Sequence, residues 1–518
     1  MTEHEVSAAT SVQLAVRKAA EIHGARPALA LGDRVQSFAE THERSLRLAG
    51  ALESLGLEPG SRVAIMATNG PWFVELYFAV CDAGMIEVPV NLRFTTHELA
   101  SYLNHVQPDA VIATADLAPR VGEIGALVPS LRITIGIGAG HELQYDYEDL
   151  LAAANPVERE LRDPDETVLV CSTSGTSGNA KAVRHTQRTT ATGYLPLIER
   201  FEVERSSHIV TGLPMYFATA YSGWTMSFIA GAQQSMIPAF DPRSYVDLVE
   251  AVRGSHAFLG PAPVIYIMDA GIDLSRLLSL RYLSMGGAAC DPTRLQALVD
   301  ALGDRVAIQY AMTEVSIATS LLGSEFIEAD GTLSPLHRSI GRPFAGLRVR
   351  LVADGGDELP FDGETRGELE LSGSFVTPGY LDNPDADSEA FDHGWLRTGD
   401  VAVIDRDEHV WIVDRKKDLI VSGGINIAPA EVEQTIAQHP DVVAAGVCAV
   451  PDRVFGEAVH AAVVRVPGSS VSERDIIEWC GDRLASVKKP RSVEFVDELP
   501  ISSTGKLLRR ELRPRSTN

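Results

Sequence analysis

A stretch rich in small hydroxyl residues and glycine follows an apolar run in the first half of the chain and contains a lysine. It extends from Val168 to Val183. Its candidate phosphate-binding residues are Thr173, Ser174, Gly175, Thr176, Ser177, Gly178 and Lys181. Backbone N–H groups in such loops converge on phosphate oxygens, and a lysine adds neutralising charge. Because the spacing between glycine and lysine differs from that of the usual nucleotide P-loop, the stretch predicts a different kind of phosphate loop, with an ordinary flexible loop as the alternative.

Four more motifs follow this loop, and each contains polar or charged side chains that can take part in binding or catalysis. They are Tyr310-Ala311-Met312-Thr313-Glu314, Trp395-Leu396-Arg397-Thr398-Gly399-Asp400, Asp414-Arg415-Lys416-Lys417-Asp418, and Leu499-Pro500 with Thr504-Gly505-Lys506. In this order the five motifs resemble the signatures of the adenylate-forming superfamily, and within it the AMP-forming acyl- and aryl-CoA synthetases. The resemblance extends from Arg26 to Leu512.

The resemblance implies a two-step acid:CoA ligase reaction. A carboxylate attacks the α-phosphorus of ATP to give an acyl-adenylate and pyrophosphate, and the acyl group then passes to the thiol of coenzyme A. Both partners of the first step are anions, so the reaction needs positive charge and a metal. The expected cofactors are therefore ATP, Mg²⁺ and coenzyme A, and the expected partner is a small-molecule carboxylic acid.

Three residues are the expected catalytic set by resemblance. Lys506 would bridge the carboxylate and the α-phosphate during adenylation. Glu314 would offer a hard oxygen to Mg²⁺, and the hydroxyl of Thr313 would contact phosphate. The alternatives are an exposed lysine near the C-terminus and a Thr-Glu pair that caps a helix.

A second set is expected to hold the nucleotide. Tyr310 would stack on adenine, and the stretch Gly286, Gly287 and Ala288 would let the base approach the backbone. Asp400 would accept both ribose hydroxyls, and Arg415 would donate to ribose and phosphate. A buried core tyrosine and a surface ion pair are the alternatives.

The resemblance also places a hinge at Lys417. This divides the chain into an adenylation domain, residues 1–416, and a mobile C-terminal domain, residues 417–518. In the second reaction step the loop Ser422, Gly423 and Gly424 would line the pantetheine tunnel, since residues without large side chains leave room for a slim ligand. A plain β-turn is the alternative for this loop.

The chain departs from the family pattern at two places. Ala180 and Ala182 flank Lys181 where many relatives have proline and glycine, and Phe217 occupies the position of a histidine that helps to hold the carboxylate. We therefore expect Tyr216 and Phe217 at the acid pocket. Amino-acid-activating members of the superfamily usually keep an aspartate for the substrate amine in the segment from Leu213 to Ser222, and this chain has none there, so the resemblance implies an acid without an α-amine. The apolar side chains of Tyr216 and Phe217 would suit an aryl or aliphatic acid. The nearby Tyr221, Trp224 and Met226 suit either a pocket or the protein core.

The pattern of apolar residues predicts a layered α/β fold that positions these motifs. Apolar residues recur at helical spacing between Glu40 and Leu57 and again over Pro71 to Ala83, and strand-like segments follow at Arg62 to Ala67 and Met85 to Val90. From about Gly341 to Trp411 short β-branched runs predict hairpins of a small barrel or sheet. Beyond Asp414, a helix opened by Pro429 begins a small α+β unit.

Composition limits the remaining possibilities. A net charge of -25 over 518 residues opposes binding to nucleic acid and to anionic membranes, and no apolar run of membrane-spanning length supports stable insertion. The five cysteines are far apart in sequence, which indicates a reducing compartment, and we expect a cytoplasmic protein. The sequence is compatible with a monomer or a homodimer. The alternative functions are an adenylating enzyme that loads a carrier-protein thiol and a catalytically silent nucleotide-binding homologue.

Overall fold

The structure is a computed structural model that describes residues 11–173, 180–287, 290–422, 425–453, 456–501 and 507–512. The chain divides into two compact units. Unit 1 comprises Met1–Arg348 and Ser372–Glu389, and unit 2 comprises Val349–Leu371 and Ala390–Asn518.

Sixteen strands form the two sheets of unit 1 among the residues described. They are β1 (Pro27–Leu31), β2 (Arg34–Ser37), β3 (Arg62–Met66), β4 (Ile86–Pro89), β5 (Ala110–Thr114), β6 (Ile133–Ile137), β7 (Tyr145–Asp146), β8 (Thr167–Ser172), β9 (Ala182–Thr186), β10 (His208–Thr211), β11 (Gln233–Met236), β12 (His256–Leu259), β13 (Tyr282–Gly286), β14 (Val306–Tyr310), β15 (Thr319–Leu322) and β16 (Arg342–Pro343). One sheet has the order β7-β6-β5-β3-β4-β8-β9, and the other has the order β16-β15-β14-β13-β12-β10-β11-β1-β2.

Helices connect and cover these strands. They are α1 (Val12–His23), α2 (Phe38–Ser54), α3 (Pro71–Ala83), α4 (Thr96–Val106), α5 (Ala118–Gly125), α6 (Tyr147–Ala153), α7 (Gln187–Arg200), α8 (Tyr221–Ala230), α9 (Pro242–Ala251), α10 (Pro261–Asp269), α11 (Pro292–Leu302), α12 (Gly323–Phe326) and α13 (Pro384–Ala390).

Helix α3 illustrates why the sequence folds in this way. Pro71 opens it, where its missing N–H costs nothing, and Gly84 ends it with a φ of 70° in the left-handed region. Most of its residues are buried, and an apolar cluster joins them to strands of both sheets, including Leu29 and Ile65. One of the apolar clusters of unit 1 is therefore built around a helix whose residues are buried on nearly every face.

The nine-stranded sheet positions part of the candidate site. Strands β10 to β14 are parallel to one another, and β15 and β16 continue the sheet with antiparallel pairing. Strands β13 and β14 end side by side at Gly286 and Tyr310. The carboxyl edge of a parallel sheet is where α/β proteins bind ligands.

Unit 2 contains the predicted residues Asp400, Arg415, Lys417 and Ser422. The strands from this part of the chain are β17 (Leu347–Val352), β18 (Glu358–Leu359), β19 (Gly367–Gly373), β20 (Phe391–Asp392), β21 (Trp395–Ile404), β22 (Val410–Arg415), β23 (Ile420–Ser422), β24 (Ile425–Ile427), β25 (Val442–Asp452), β26 (Gly456–Arg465) and β27 (Ser492–Phe495). One sheet has the order β18-β17-β19-β21-β20 with β22 beside β21. The other has the order β24-β23-β26-β25 with β27 beside β26, and it packs with helices α14 (Pro429–Ala437) and α15 (Glu473–Gly481).

The predicted α/β class and several predicted elements are confirmed. The helix over Pro71–Ala83 has the expected bounds, and the helix opened by Pro429 is α14. The β-rich segment from Gly341 to Trp411 contributes to a six-stranded sheet. Within the described ranges, none of the helices is long and apolar enough to cross a membrane. The predicted domain boundary at Lys417 stays a prediction.

Candidate functional site

The predicted phosphate loop is the connection of a β-hairpin. Strands β8 and β9 are antiparallel, with Ser172 opposite Ala182. Beyond this pair the Thr173 N–H donates to the Lys181 carbonyl over 2.9 Å, and the Lys181 N–H donates to Thr173 Oγ1 over 3.0 Å. These bonds fix both ends of the loop. Ser174, Gly175, Thr176, Ser177 and Gly178 lie outside the described residues.

Lys181 is the first of three side chains that form a contiguous group in unit 1. Its Nζ lies 4.7 Å from the centre of the Tyr380 ring. The Tyr380 hydroxyl donates to Glu314 Oε1 over 2.9 Å. Tyr380 and Glu314 are both buried. The structure thus joins two predicted site residues, Lys181 and Glu314, through an aromatic residue that the sequence did not indicate.

Tyr380 reaches this position because its segment pairs with the hairpin strand that follows Lys181. Tyr380 forms an antiparallel bridge with Val183. The Arg184 N–H donates to the Gly379 carbonyl over 3.0 Å, and the Leu381 N–H donates to the Ala182 carbonyl over 2.8 Å. These contacts extend the edge of the seven-stranded sheet by one short segment.

The loop with Thr313 and Glu314 connects β14 to β15. The Thr377 N–H donates to the Glu314 carbonyl over 2.8 Å. Ser316 has a φ of 60°, and its Oγ accepts from the buried Tyr194 hydroxyl over 3.3 Å. A residue other than glycine tolerates this backbone only when its surroundings hold it in place. Thr313 and Glu314 therefore occupy a fixed turn.

His185 on β9 supports this turn from the interior. Burial lowers the pKa of His185 to about 4, although a hydrogen bond with the Thr313 backbone opposes the shift. Its Nε2 atom has no hydrogen-bond partner among the described residues. The imidazole is therefore neutral at pH 7.

The predicted adenine contacts lie together at the carboxyl edge of the nine-stranded sheet. Gly286 on β13 is paired with Gln309 on β14, which places Gly287 beside Tyr310. A Cβ atom at Gly286 would lie 3.2 Å from the Gln309 carbonyl oxygen, and Gly287 has a φ of 91°. Both positions suit glycine: a side chain at Gly286 would crowd Gln309, whereas the space around Gly287 is open. Ala288 lies outside the described residues.

The predicted ribose contacts form a pair in unit 2. Asp400 and Arg415 are opposite each other on β21 and β22, and Arg415 Nε lies 2.6 Å from Asp400 Oδ1. Thr398 Oγ1 accepts from the Asp400 N–H over 3.1 Å and donates to the Leu369 carbonyl over 2.8 Å. The side chain of Asp400 is 3% exposed, whereas that of Arg415 is 40% exposed. A carboxylate held this way presents its oxygens in a fixed direction.

The predicted hinge follows this pair. Lys416, Lys417 and Asp418 form a short 3-10 helix, and Lys416 Nζ lies 2.9 Å from Asp354 Oδ1 and 3.0 Å from Glu368 Oε2. The side chain of Lys417 lies outside the described residues. Ser422 is buried at the end of β23, while Gly423 and Gly424 lie outside the described residues. The hinge and tunnel assignments stay predictions.

Lys506 lies outside the described residues, but the chain on both sides of residues 502–506 is anchored within unit 2. Ile501 forms an antiparallel bridge with Leu507, and the Leu508 N–H donates to the Pro500 carbonyl over 2.9 Å. Leu507 and Leu512 contribute to a small apolar cluster. Three residues after Lys506, the guanidinium of Arg509 makes an ion pair with Glu433.

The Arg509–Glu433 ion pair is part of a mostly buried network. Arg509 also donates to the Val447 carbonyl over 3.0 Å, and its Nε lies 3.7 Å from Asp418 Oδ2. Burial raises the pKa of Glu433, an effect that Arg509 opposes. The neighbouring Asp414 accepts from the Ala430 N–H over 3.0 Å and so holds the first turn of α14.

Tyr216 and Phe217, the predicted acid-pocket residues, lie in a mainly apolar environment. Tyr216 is buried, Phe217 is partly buried, and their ring centres are 4.7 Å apart. Asn69 fixes the segment, since its side chain accepts from the Met215 N–H and donates to the Leu213 carbonyl. Tyr221, Trp224 and Met226 are fully buried, so the core alternative holds for these three.

Sequence reasoning missed four residues that contact the candidate residues or their segments, namely Tyr380, Thr377 and His185 in unit 1 and Arg509 in unit 2. Pro378 and Gly379 signalled only a turn beside Thr377 and Tyr380. His185 was one histidine among fourteen, with no spacing to distinguish it. Arg509 follows the C-terminal lysine motif, yet its partner Glu433 is 76 residues away.

Comparison with protein families gives two matches. Residues 16–381 match the family model described as AMP-binding enzyme. Residues 431–506 match the model described as AMP-binding enzyme C-terminal domain.

Several individual proteins are similar to this chain over nearly the whole length of both. A feruloyl-CoA synthase from Amycolatopsis sp is 32% identical, covering 93% of this chain and 94% of that protein. The fatty acid–[acyl-carrier-protein] ligase ScoC from Streptomyces coeruleorubidus is 30% identical, covering 94% of this chain and 93% of that protein. The crystal structure of ATP-bound MatB from Rhodopseudomonas palustris superposes with a TM-score of 0.86 at 27% identity, covering 97% of this chain and 98% of that one.

Proposed function

The chain belongs to the AMP-binding enzyme family, and from that premise we propose that it is an ATP-dependent ligase that joins an apolar carboxylic acid to coenzyme A. In the first step a carboxylate oxygen attacks the α-phosphorus of ATP, and the bond to the β-phosphate breaks to release pyrophosphate. In the second step the thiolate of coenzyme A attacks the acyl carbon, and AMP leaves.

One observation carries this proposal. Lys181, Tyr380 and Glu314 form a contiguous group of cation, aromatic ring and carboxylate in unit 1. The cation lies at the end of a hairpin whose connection is rich in glycine and hydroxyl residues. A fixed positive charge beside a phosphate loop and a carboxylate suited to a metal are what phosphate transfer from ATP requires.

The residues at Glu314 fit a magnesium ion. Mg²⁺ in phosphate-transfer sites is held by one or two carboxylates together with substrate phosphates. Glu314 supplies a carboxylate with a fixed orientation, and Thr313 supplies an adjacent hydroxyl. When bound, the ion would neutralise charge on the phosphates.

The nucleotide contacts are proposed from the motif resemblance, and the geometry within each unit supports them. We assign adenine to the edge formed by Gly286, Gly287 and Tyr310, where neighbouring parallel strands end and the space around Gly287 is open. We assign the ribose hydroxyls to Asp400, whose carboxylate is fixed by Arg415. Lys506 is assigned to the α-phosphate and carboxylate in the first step, with Lys417 as the hinge and Ser422, Gly423 and Gly424 along the coenzyme A thiol tunnel.

The proposed acid is apolar and lacks an α-amine. Tyr216 and Phe217 offer aromatic rings at the segment that Asn69 fixes. Relatives support both aryl and aliphatic acids, since one is named a feruloyl-CoA synthase and another a fatty acid ligase. Because ScoC is named an acyl-carrier-protein ligase, loading of a carrier protein is a second candidate for the acceptor.

The test separates the two steps. We expect acid-dependent pyrophosphate release from ATP with a panel of aryl, alicyclic and aliphatic acids, and thioester formation with coenzyme A. The Lys506→Ala variant should lose roughly a hundred- to thousandfold in adenylation rate. It should keep thioester formation from supplied acyl-adenylate, because the lysine acts only in the first step.

The outcomes distinguish the alternatives. Equal loss of both half-reactions in Lys506→Ala would contradict the division of labour between the two steps. Acyl transfer to a phosphopantetheinyl protein but not to coenzyme A would favour the carrier-loading enzyme. Binding of ATP with no pyrophosphate release over the whole acid panel would favour a silent homologue.

A further inference from the structure

Tyr380 touches two side chains that the proposed function uses for different purposes. Its hydroxyl donates to Glu314 Oε1 over 2.9 Å, and the face of its ring lies 4.7 Å from Lys181 Nζ. One contact is made by the oxygen and the other by the ring. A single residue thus contacts both the carboxylate assigned to the metal and the cation assigned to phosphate.

The backbone of Tyr380 leaves its side chain little freedom. Its N–H donates to Asp387 Oδ1 over 2.7 Å, and it forms the bridge with Val183. The adjacent Gly379 has a φ of 131°, and a Cβ atom there would lie 2.5 Å from Asp387 Oδ1. Contacts of both the backbone and the side chain therefore fix the position of Tyr380.

The Tyr380 hydroxyl keeps its proton at neutral pH. A tyrosine hydroxyl ordinarily loses its proton only at about pH 10. The hydroxyl is therefore a hydrogen-bond donor to the carboxylate. A hydrogen bond to a charged acceptor restricts the orientation of a carboxylate more strongly than a neutral contact does.

We propose that Tyr380 is a positioning residue that aligns Glu314 toward the metal through its hydroxyl and Lys181 toward the nucleotide phosphates through its ring. This inference rests on the proposed function and extends it. It assigns the alignment of both charges to one side chain, which neither motif contains.

Two substitutions separate the two contacts. Tyr380→Phe keeps the ring beneath Lys181 but removes the donor to Glu314. Tyr380→Leu removes both. Tyr245→Phe is the matched control, because Tyr245 is also a fully buried tyrosine of unit 1 and its hydroxyl donates to the Val210 carbonyl over 3.0 Å.

The experiment measures binding without turnover. Mn²⁺ binding to the full-length protein with ATP is followed by electron paramagnetic resonance, and ATP binding in EDTA is followed by calorimetry. Tyr380→Phe should weaken Mn²⁺ binding about tenfold, the scale of one hydrogen bond to a charged group. Its metal-free ATP affinity should stay within twofold of wild type.

Tyr380→Leu should show the same metal defect and a further loss. Its metal-free ATP affinity should fall about threefold to tenfold, the scale of a cation–π contact. Tyr245→Phe should match wild type in both measurements. In acid-dependent pyrophosphate release, Tyr380→Phe should lower kcat with little change in the KM for ATP at saturating metal.

Several results would overturn the proposal. One is normal Mn²⁺ binding by Tyr380→Phe, and another is an equal metal defect in Tyr245→Phe. Failure of the wild-type protein to bind Mn²⁺ with ATP would also overturn it. If wild type binds Mn²⁺ and ATP but releases no pyrophosphate with any acid, the proposed function fails while the binding data still decide the role of Tyr380.

Discussion

The two groups of candidate site residues differ in how far apart their members lie in the sequence. In unit 1, Lys181, Glu314 and Tyr380 come from three segments that are far apart in sequence. In unit 2, Asp400 and Arg415 face each other on neighbouring strands joined by a short turn. Unit 1 therefore needs tertiary pairing to bring its charges together, whereas the pair in unit 2 follows from a local hairpin.

This difference in sequence separation determines how much of the fold each group needs in order to form. A local pair forms whenever its hairpin forms, because closing a short loop costs little entropy. A distant group forms only when the whole unit is packed, so it is held by many supporting contacts. Ser316 at positive φ, the buried His185 and the Thr377 N–H all serve the Glu314 turn.

Unit 2 also contains one distant group, the Arg509–Glu433 network. This makes the comparison testable within a single unit, since Arg509 depends on tertiary packing and Asp400 depends on the hairpin. If the sequence separation of its partner decides what a residue contributes, substitution of Arg509 should mainly lower the free energy of unfolding. Substitution of Asp400 should mainly weaken ligand binding.

The largest effect is expected from Arg509→Met. Removing one partner of a mostly buried ion pair leaves Glu433 without its counter-charge, and the free energy of unfolding should fall by about 3 kcal/mol. Urea denaturation measures the change. The neighbouring Arg510 is more than half exposed, and Arg510→Met should change the unfolding free energy by about 0.5 kcal/mol or less.

The ion-pair argument also predicts a partial rescue. In the Arg509→Met, Glu433→Met double variant neither charge is buried, so stability should recover part of the loss. A loss in the double variant equal to the sum of both single losses would contradict this, as would a neutral effect of Arg509→Met alone.

A smaller effect, confined to ligand binding, is expected from Asp400→Ala. The variant loses the carboxylate assigned to the ribose hydroxyls, so the KM for ATP should rise about a hundredfold, the scale of two hydrogen bonds to a charged group. Initial rates of pyrophosphate release measure it. Asp407→Asn, an exposed change on the turn of the same hairpin, should leave the KM unaltered.

Asp400→Ala should also leave the unfolding free energy closer to wild type than Arg509→Met does. A larger loss of unfolding free energy in Asp400→Ala than in Arg509→Met would contradict the comparison, because the local pair would then contribute more to stability than the distant one.

The smallest effect is a pH dependence in unit 1. Burial lowers the pKa of His185 to about 4 from 6.5, so the unfolded chain binds more protons than the folded protein between these values. Stability from this residue is complete above pH 6.5 and is lost as the pH falls toward 4. Between pH 7 and pH 5 the loss should be about 2 kcal/mol.

The His185→Gln variant isolates that contribution. Its unfolding free energy should fall less steeply than that of wild type between pH 7 and pH 5, whatever its value at pH 7. The exposed His97→Gln variant should keep the wild-type slope. Identical slopes for wild type and His185→Gln would show that burial of this imidazole does not limit stability in acid.

Much of the fold was predictable because its signals are local. Pro71 and Gly84 mark the ends of α3, and Pro429 marks the start of α14. Gly286 and Tyr310 are the last residues of the neighbouring parallel strands β13 and β14. The functional assignments of the site residues stay predictions, and Lys506 lies outside the described residues.

The sequence alone determined the order and residue types of the motifs, because each motif is a short run whose chemistry lies in adjacent side chains. Only the tertiary structure decided that Tyr380 links Lys181 to Glu314 and that Arg509 meets Glu433. The reason is physical. Strand pairing and burial bring these residues together across long stretches of chain, and no local spacing records a contact that packing creates.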